Sequence, residues 1–170
     1  IVAPRIAAAL LTVLLAASIA RVARTVAGPK AGILALALCT FDPNFLAHGS
    51  LATTDMGATA FIFWALWAGS RWLKAPTRRN WLFAAALLGL AQGAKLTALL
   101  LYPVLGLAVL LNAYSSCKDA KAQKGSPKRR FSSLVNRLLE FSALVGVSLL
   151  VVWALYGFEL RPVVGLLGGI

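Results

Sequence analysis

The sequence predicts an all-α protein, a multi-spanning transmembrane bundle of about six helices. Hydrophobic residues make up 60% of the 170 positions and charged residues only 13%, whereas a soluble domain carries roughly 25% charged residues. Mean hydropathy is +0.82, and the apolar residues form long runs. Such runs are typical of membrane-spanning helices, because a helix needs about 20 mostly apolar residues to cross a bilayer. These observations exclude an ordinary soluble domain and predict a single, partial transmembrane domain over residues 1–170.

The predicted membrane helices follow the apolar runs in chain order, at residues 3–20, 31–46, 56–73, 81–94, 96–114 and 141–156. Pro43 interrupts the second run, Gly49 lets the chain turn, and Thr53, Thr54 and Asp55 offer caps to a helix that begins near Met56. The spacing of Gly89 and Gly93 is typical of close helix packing. We expect interhelical hydrogen bonds from the polar residues inside later runs, Gln92, Tyr102 and Asn112.

The basic residues indicate how the bundle is oriented. There are 17 Lys and Arg residues against 5 Asp and Glu, and if successive helices alternate in direction, fourteen of the seventeen fall on one face. The positive-inside rule makes that face cytoplasmic. The short basic clusters form no continuous helix face, which argues against nucleic acid and for membrane lipids as partners. Residues 115–130 are predicted to form a flexible, basic cytoplasmic loop that binds anionic lipid.

A polar segment between the second and third runs is the predicted functional site. Residues 42–55 hold the only histidine, His48, and two of the five acidic residues, Asp42 and Asp55. The charge asymmetry places them on the outer face, where acidic groups beside a bilayer have a desolvation cost that favours a functional role. The neighbouring apolar runs 31–41 and 81–94 would span only about 16 and 21 Å as helices. We therefore expect the segment to lie below the membrane surface, in a cavity.

The three side chains of this segment are predicted to be catalytic, and each also has a structural interpretation. Asp55 would stabilise the positive end of the helix that it precedes. Asp42 comes before a proline and would start a turn. His48 fits a general base, a metal ligand or a hydrogen-bond donor to phosphate, although a lone histidine is most often a hydrogen-bonded interfacial residue.

Two isolated cations share the outer face and are predicted to bind a phosphate. Lys95 lies between two apolar runs, so it needs an anionic partner, which would be Asp42, Asp55 or the phosphate of a ligand. Arg5 follows Pro4 at the outer end of the first run, and a guanidinium there suits bidentate phosphate binding or anchoring to lipid headgroups.

Taken together, three segments of the chain resemble one family. They are Pro4-Arg5-Ile6, the stretch DPNFLAHGSLATTD at 42–55, and the stretch GLAQGAKLT at 89–97 followed by Tyr102-Pro103. They are similar to the phospholipid-carrier-dependent glycosyltransferases of the GT-C membrane fold, the protein O-mannosyltransferase-like enzymes. The resemblance runs from about Arg5 to Pro103, and the segment that ends in Thr-Thr-Asp is its most specific part.

The resemblance implies an integral, multi-pass membrane enzyme, placed in the cytoplasmic membrane if the source is bacterial, with its site on the outer side. A polyprenyl- or dolichyl-phosphate-linked sugar would enter an outward-facing cavity, and the sugar would pass with inversion to a protein, glycan or lipid acceptor. Asp55 would orient the acceptor or a divalent metal, Arg5 and Lys95 would stabilise the departing carrier phosphate, and His48 would line the site.

The resemblance also implies that part of the enzyme lies elsewhere. The family's principal catalytic carboxylate belongs to the first outer loop, upstream of Ile1, so we expect these residues to be a central piece that is inactive alone. An alternative is a polytopic transporter or lipid-handling protein whose short spans are broken helices around a substrate. A noncatalytic membrane assembly subunit is a third possibility.

Overall fold

The computed structural model describes residues 2–50, 54–122 and 127–156, with side chains for residues 5–49, 54–115 and 135–156. Its helices are α1 (Val2–Ala27), α2 (Pro29–Phe41), α3 (Pro43–Ser50), α4 (Thr54–Lys74), α5 (Arg78–Ala94), a 3-10 helix (Leu96–Leu100), α6 (Leu101–Ala122) and α7 (Pro127–Leu155). These ranges contain no β-strand. The predicted all-α class is confirmed.

The helices include several that are long and apolar enough to span a membrane. Within the described ranges these are Arg5–Ala27, Leu96–Ser115 and Val135–Leu155, and the bent pair Pro29–Phe41 with Pro43–Gly49 makes a fourth if it forms one span. The predicted membrane bundle is thus confirmed. The predicted spans 56–73 and 81–94 form α4 and α5; α4, with 21 residues, is long enough but less apolar than these helices, and α5 is shorter than they are. At 17 residues, α5 is about 25 Å long.

Proline and glycine account for the two breaks in the first half of the chain. Gly28 separates α1 from α2 with φ of 89°, a conformation that L side chains rarely adopt. Asp42 separates α2 from α3, and the two helices meet at 65°. Pro43 suits the first position of α3 because a helix needs no hydrogen bond from that N–H. The predicted interruption of the second run is confirmed.

Helix covers more of the predicted basic loop than the sequence suggested. α6 continues to Ala122 and α7 begins at Pro127, because the Lys and Ala residues after position 117 are good helix formers. Residues 123–126 lie outside the described part, as does the predicted cap Thr53. The flexibility of residues 115–130 stays a prediction.

Small residues let the central helices pack closely. Across α4 to α7 the main core joins Ala65, Ala68, Trp72, Ala84, Ala85, Leu88, Ala91, Ala98, Leu101, Leu105, Val109 and Leu144. A Cβ at Gly89 would lie 2.6 Å from Cβ of Val151, and one at Gly93 would lie 2.6 Å from Cδ1 of Leu155. The predicted packing role of this glycine pair is confirmed, and α7 is the helix that uses it.

The polar residues predicted to link helices differ in outcome. The Tyr102 hydroxyl hydrogen-bonds to Oγ of Ser148, at 2.7 Å, and thereby joins α6 to α7 as predicted. Gln92 departs from the prediction, since its Nε2 is buried and has no partner among the described residues. Its chain neighbours Leu88 and Ala91 belong to the apolar core.

Contacts between α1 and α4 fix the direction of the remaining helices. Leu15 packs with Met56 and Ala60, and Trp64 Nε1 donates to Ser18 Oγ at 3.0 Å. Residue numbers rise together along both helices from one contact to the next, so α1 and α4 run parallel. Helix α5 follows α4 after a short connection and runs antiparallel to it. The first turns of α1 and α4, helix α3 and the end of α5 therefore form one end, which we call the Asp55 end. The last turns of α1 and α4 and the start of α5 form the Arg71 end.

Candidate active site

Asp55 and Lys95 form an ion pair at the Asp55 end. Asp55 stands in the first turn of α4 and Lys95 directly follows α5. These helices form a hairpin in which Thr77 caps α5 by accepting from the Asn80 N–H at 3.3 Å. Lys95 Nζ donates to Asp55 Oδ1 at 2.7 Å, and each side chain is 48% exposed. Of the two carboxylates that the sequence left open as partners of Lys95, the structure pairs it with Asp55, and binding of a ligand phosphate stays a prediction.

The surroundings keep Asp55 ionised. The hydrogen bond from Lys95 and the charge of Lys95 lower the pKa of Asp55 below its ordinary value, and the charge of His48 acts in the same direction more weakly. An ion pair this exposed contributes little to the stability of a fold. Because its pKa is low, Asp55 is a poor proton acceptor and a good hydrogen-bond acceptor. The pair is thus better suited to orienting a polar group and to meeting new charge than to removing a proton.

His48 reaches this end through α3, which rests on α1. Gly49 is buried, and a Cβ there would lie 2.8 Å from Cγ2 of Thr12 and 2.9 Å from its Oγ1. The prediction that Gly49 turns the chain is wrong. Gly49 lies inside α3, and its lack of a side chain allows α3 to touch α1. The neighbouring His48 is exposed and close enough for its charge to act on Asp55.

Asp42 serves as the cap of α3. The Asn44 N–H donates to Asp42 Oδ1 at 2.8 Å, and the Leu46 N–H donates to the Asp42 carbonyl at 3.1 Å. This agrees with the structural interpretation of Asp42 as the start of a turn. The structure does not bring Asp42 into an ion pair with Lys95. Its effect on the Asp55 end is to fix where α3, and with it His48, begins.

Arg5 lies on the face of α1 that meets α3 and α4. Arg5, Ala8, Thr12 and Leu15 recur at helical spacing, with Ala8 and Leu15 buried and Thr12 against Gly49. Arg5 itself is exposed and has no ion-pair partner in the part of the chain with described side chains. Seven residues, or about 10 Å along the axis, separate it from Thr12. The structure therefore aligns Arg5 with the site without placing it in contact with Asp55 or Lys95.

Two further polar features bear on the site. Gln92 lies three residues before Lys95 in the chain, and its Nε2 is buried without a hydrogen-bond partner among the described residues. Thr12 was not singled out from the sequence, because a threonine in an apolar helix whose hydroxyl donates to its own helix, here to the Ala8 carbonyl at 2.8 Å, gives no separate signal. No group of three or more His, Cys, Asp or Glu side chains that could hold a metal occurs among the residues searched, which are the described ones.

The site is more open than the predicted cavity. Asp55 and Lys95 are half-exposed, and five cavities in the structure are lined by other residues, mostly towards the Arg71 end. The fold and this site together define a polytopic membrane protein with a charged, solvent-accessible pair between helix ends.

Residues 1–124 match the family of dolichyl-phosphate-mannose-protein mannosyltransferases, and the chain belongs to that family. The match includes all five predicted site residues and ends just beyond α6, before α7. No curated protein and no solved structure matches the chain. The predicted resemblance is confirmed, and family membership makes this chain a membrane glycosyltransferase of the mannosyltransferase type.

Proposed function

We propose that the Asp55 end forms part of the active site of a glycosyltransferase that takes its sugar from a dolichyl- or polyprenyl-phosphate carrier. The observation that carries this proposal is the half-exposed Asp55–Lys95 pair, 2.7 Å long, at the open junction of α3, α4 and α5. The family's name specifies mannose, a dolichyl-phosphate donor and a protein acceptor. We propose the same three classes for this chain.

The reaction would proceed in one displacement with inversion at the anomeric carbon. The acceptor hydroxyl attacks C1 from the face opposite the phosphate; the new C1–O bond forms as the bond between C1 and the phosphate oxygen breaks. The electron pair of that bond stays on the carrier phosphate, whose negative charge increases. The acceptor proton leaves to a base or, through solvent, to the phosphate.

Lys95 and Arg5 would stabilise the charge that develops on the carrier phosphate. Fixed cations aimed at developing charge accelerate a reaction more in a water-poor site than in water. The attraction between Lys95 and the carrier phosphate grows as the phosphate gains negative charge, so Lys95 would stabilise the transition state more than the bound donor. Arg5 is exposed and unpaired among the described side chains, and its guanidinium can hold two phosphate oxygens at once.

Asp55 would orient the acceptor rather than remove its proton, since Lys95 lowers its pKa. A carboxylate in this state accepts a hydrogen bond from the acceptor hydroxyl and directs its lone pair to C1. His48, which lies near enough to influence Asp55, would line the acceptor side. Asp42 would be a positioning residue, acting through the cap of α3. A divalent metal beside Asp55 is compatible with this scheme but has no assigned ligands.

We place this end on the outer side of the membrane. Its described cations are Arg5 and Lys95, whereas the Arg71 end carries Arg21, Arg24, Lys30, Arg71, Lys74, Arg78 and Arg79. The positive-inside rule orients the more basic end towards the cytoplasm. In a bacterial cell the enzyme would then lie in the cytoplasmic membrane with its site facing outwards.

Substitutions in the intact enzyme test the assignment. With a dolichyl-phosphomannose donor and a peptide acceptor, Asp55→Asn and Arg5→Ala should each lower transfer by about a hundredfold or more, the scale on which preorganised charges act. Glu140→Gln and Arg137→Ala are matched controls, because these residues form a separate 3.6 Å pair in α7. Unchanged transfer in both Asp55→Asn and Arg5→Ala would overturn the proposal.

A binding measurement separates the phosphate role of Lys95 from a purely structural ion pair. Titration of a short-chain polyprenyl phosphate into Lys95→Gln should give affinity at least about tenfold weaker than in the parent, as expected for loss of a charge-assisted contact. Equal affinity, with Asp55 still required for transfer, would assign Lys95 to positioning Asp55. Movement of the carrier without cleavage of the glycosidic bond would instead favour the transporter alternative.

A further inference from the structure

The Arg71 end contains a groove between α1 and α4 that the proposed reaction does not use. A cavity of about 400 Å³ is lined there by Arg21 and Thr25 of α1 and by Trp67, Arg71 and Lys74 of α4, together with neighbouring apolar side chains. The parallel course of the two helices brings these residues together although about 50 positions separate them in the sequence. Three cations thus face one space from two helices.

The cations of this groove lack acidic partners in the described part of the chain. The two ion pairs there, Lys95–Asp55 and Arg137–Glu140, lie elsewhere. The Arg71 guanidinium instead lies 4.9 Å from the centre of the Trp67 ring, and both residues line the groove. A helix C-terminus by itself favours cations in its last turn, and this explains Arg71 and Lys74. Arg21 lies six residues before the end of α1 and has no such explanation.

The polarity of the groove changes along its length. A second cavity of about 100 Å³ continues from it and shares Arg21, Val22 and Trp67. This extension lies closer to the middle of the bundle and adds Phe63 and Trp64 to its walls. The indole N–H of Trp64 is occupied by Ser18, so that wall offers an incoming group mainly apolar surface. Three cations therefore line the part of the groove at the Arg71 end, whereas the part nearer the middle of the bundle keeps only Arg21 of the three and is walled mainly by aromatic rings.

We propose that this groove binds an anionic glycerophospholipid of the leaflet at the Arg71 end. Arg21, Arg71 and Lys74 would hold the phosphate, since arginine offers paired donors to phosphate oxygens. The start of an acyl chain would lie against Val22, Phe63 and Trp67. Basic pockets between membrane helices select anionic headgroups in this way, and the polar-to-apolar order of the groove matches the order of groups in a lipid. The positive-inside rule requires basic residues at this end but no groove between them.

Native mass spectrometry of the intact protein in detergent can test the proposal. The probes are phosphatidylglycerol, phosphatidylcholine with the same acyl chains, and inorganic phosphate. We expect the dissociation constant for phosphatidylglycerol to be lower than that for phosphatidylcholine by about tenfold or more, and Arg21→Gln/Arg71→Gln to remove the difference. Lys30→Gln/Arg78→Gln is the matched control, because it removes the same charge at the same end outside this groove, and it should retain most of the preference.

Three results would overturn the proposal. Equal binding of the two lipids would show that the groove does not select an anion. Equal loss of preference in both double variants would show an effect of total charge without a site. Displacement of phosphatidylglycerol by millimolar inorganic phosphate would identify a free-phosphate site. If Arg21→Gln/Arg71→Gln does not fold, Arg21→Gln alone serves, since Arg21 is exposed, and it should weaken phosphatidylglycerol binding severalfold.

Discussion

The two ends of the bundle both present cations, but they differ in what faces those cations. At the Asp55 end, Lys95 meets a carboxylate at 2.7 Å. At the Arg71 end, Arg21, Arg71 and Lys74 surround a cavity without an acidic partner among the described side chains. Unpaired cations bind an anion whose charge is already complete. At the Asp55 end, the Asp55 carboxylate weakens the net attraction of Lys95 for a ground-state phosphate, and the attraction that remains grows as the leaving phosphate gains charge, which is what acceleration of a reaction requires.

The largest expected effect comes from reversing the charges of the pair. Lys95→Asp would place two carboxylates where the ion pair stands, and transfer should fall by about a hundredfold or more. Asp55→Lys/Lys95→Asp would restore the attraction but exchange the positions of acid and cation. We expect both variants to keep a melting temperature close to that of the parent, because an ion pair this exposed contributes little to stability, and the double variant to stay inactive in transfer assays.

The control for this reversal is the same exchange in α7, Arg137→Glu/Glu140→Arg, which should leave transfer close to the parent rate. Recovery of transfer in Asp55→Lys/Lys95→Asp would contradict our interpretation, because it would mean that the pair only joins α4 to α5. The Asp55–Lys95 pair would then have a structural role only, and the comparison of the two ends would no longer distinguish a reactive site from a binding site.

Two glycines test whether each end depends on its own helix contact. At Gly49→Ala the new Cβ meets the Thr12 side chain at 2.8 Å, and at Gly32→Ala it meets Arg24 Cβ at 2.9 Å and the Ala20 carbonyl at 3.0 Å. Overpacking of this kind costs about 1–3 kcal/mol. Gly32→Ala should lose more stability, because backbone atoms cannot move aside. Only Gly49→Ala should slow transfer, since it shifts α3 and therefore His48.

Thermal unfolding and transfer rates, measured on the same preparations, check this contrast. Thr12→Ala removes the two side-chain atoms nearest to the new Cβ, so Gly49→Ala/Thr12→Ala should recover part of both losses. If Gly32→Ala slowed transfer as much as Gly49→Ala, the ends would not be independent.

The sequence could predict features that depend on neighbouring residues. Pro43 was sufficient to predict the bend after α2, and Gly89 with Gly93 to predict a close helix contact. Lys95 required an anion, because a lone cation between apolar runs is costly. Identifying Asp55 as that anion required knowing that α4 and α5 form a hairpin. The local residue pattern does not specify which helices pair.

Features that join distant parts of the chain could not be predicted in this way. Gly49 was predicted to form a turn, since its sequence context does not reveal that Thr12 lies against it. The groove of Arg21 and Arg71 depends on α1 and α4 running side by side in parallel. Nothing in either helix alone specifies this pairing, and their basic residues are already accounted for by the positive-inside rule.

An acid titration gives a smaller effect. Asp55 has a lowered pKa in the folded protein, so its contribution to stability is present above the ordinary carboxyl pKa and is lost as the pH falls through the lowered value. Lys95→Gln removes the main cause and should shift the protonation of Asp55 to higher pH. His48→Gln should shift it less, in the same direction.

Infrared titration of the carboxylate band, with Asp55→Asn spectra subtracted, follows this protonation even in variants with low turnover. An unchanged titration in Lys95→Gln would contradict the assigned cause. The Arg71 end provides the comparison, since Arg71→Gln should leave the Asp55 titration where it is.

The smallest expected effect lies between the two ends, at the hydrogen bond between Tyr102 and Ser148. Ser148 Oγ already donates to the Val145 carbonyl at 2.8 Å, so Tyr102 is the donor in their 2.7 Å contact. Tyr102→Phe removes only that donor and should lower the free energy of unfolding by about 0.5–1.5 kcal/mol. Ser148→Ala should cost at least as much, because Ser148 is fully buried and the tyrosine hydroxyl would lose its acceptor. Both should keep parental transfer and lipid binding; a change in either function would mean that packing of α6 against α7 controls one of the ends.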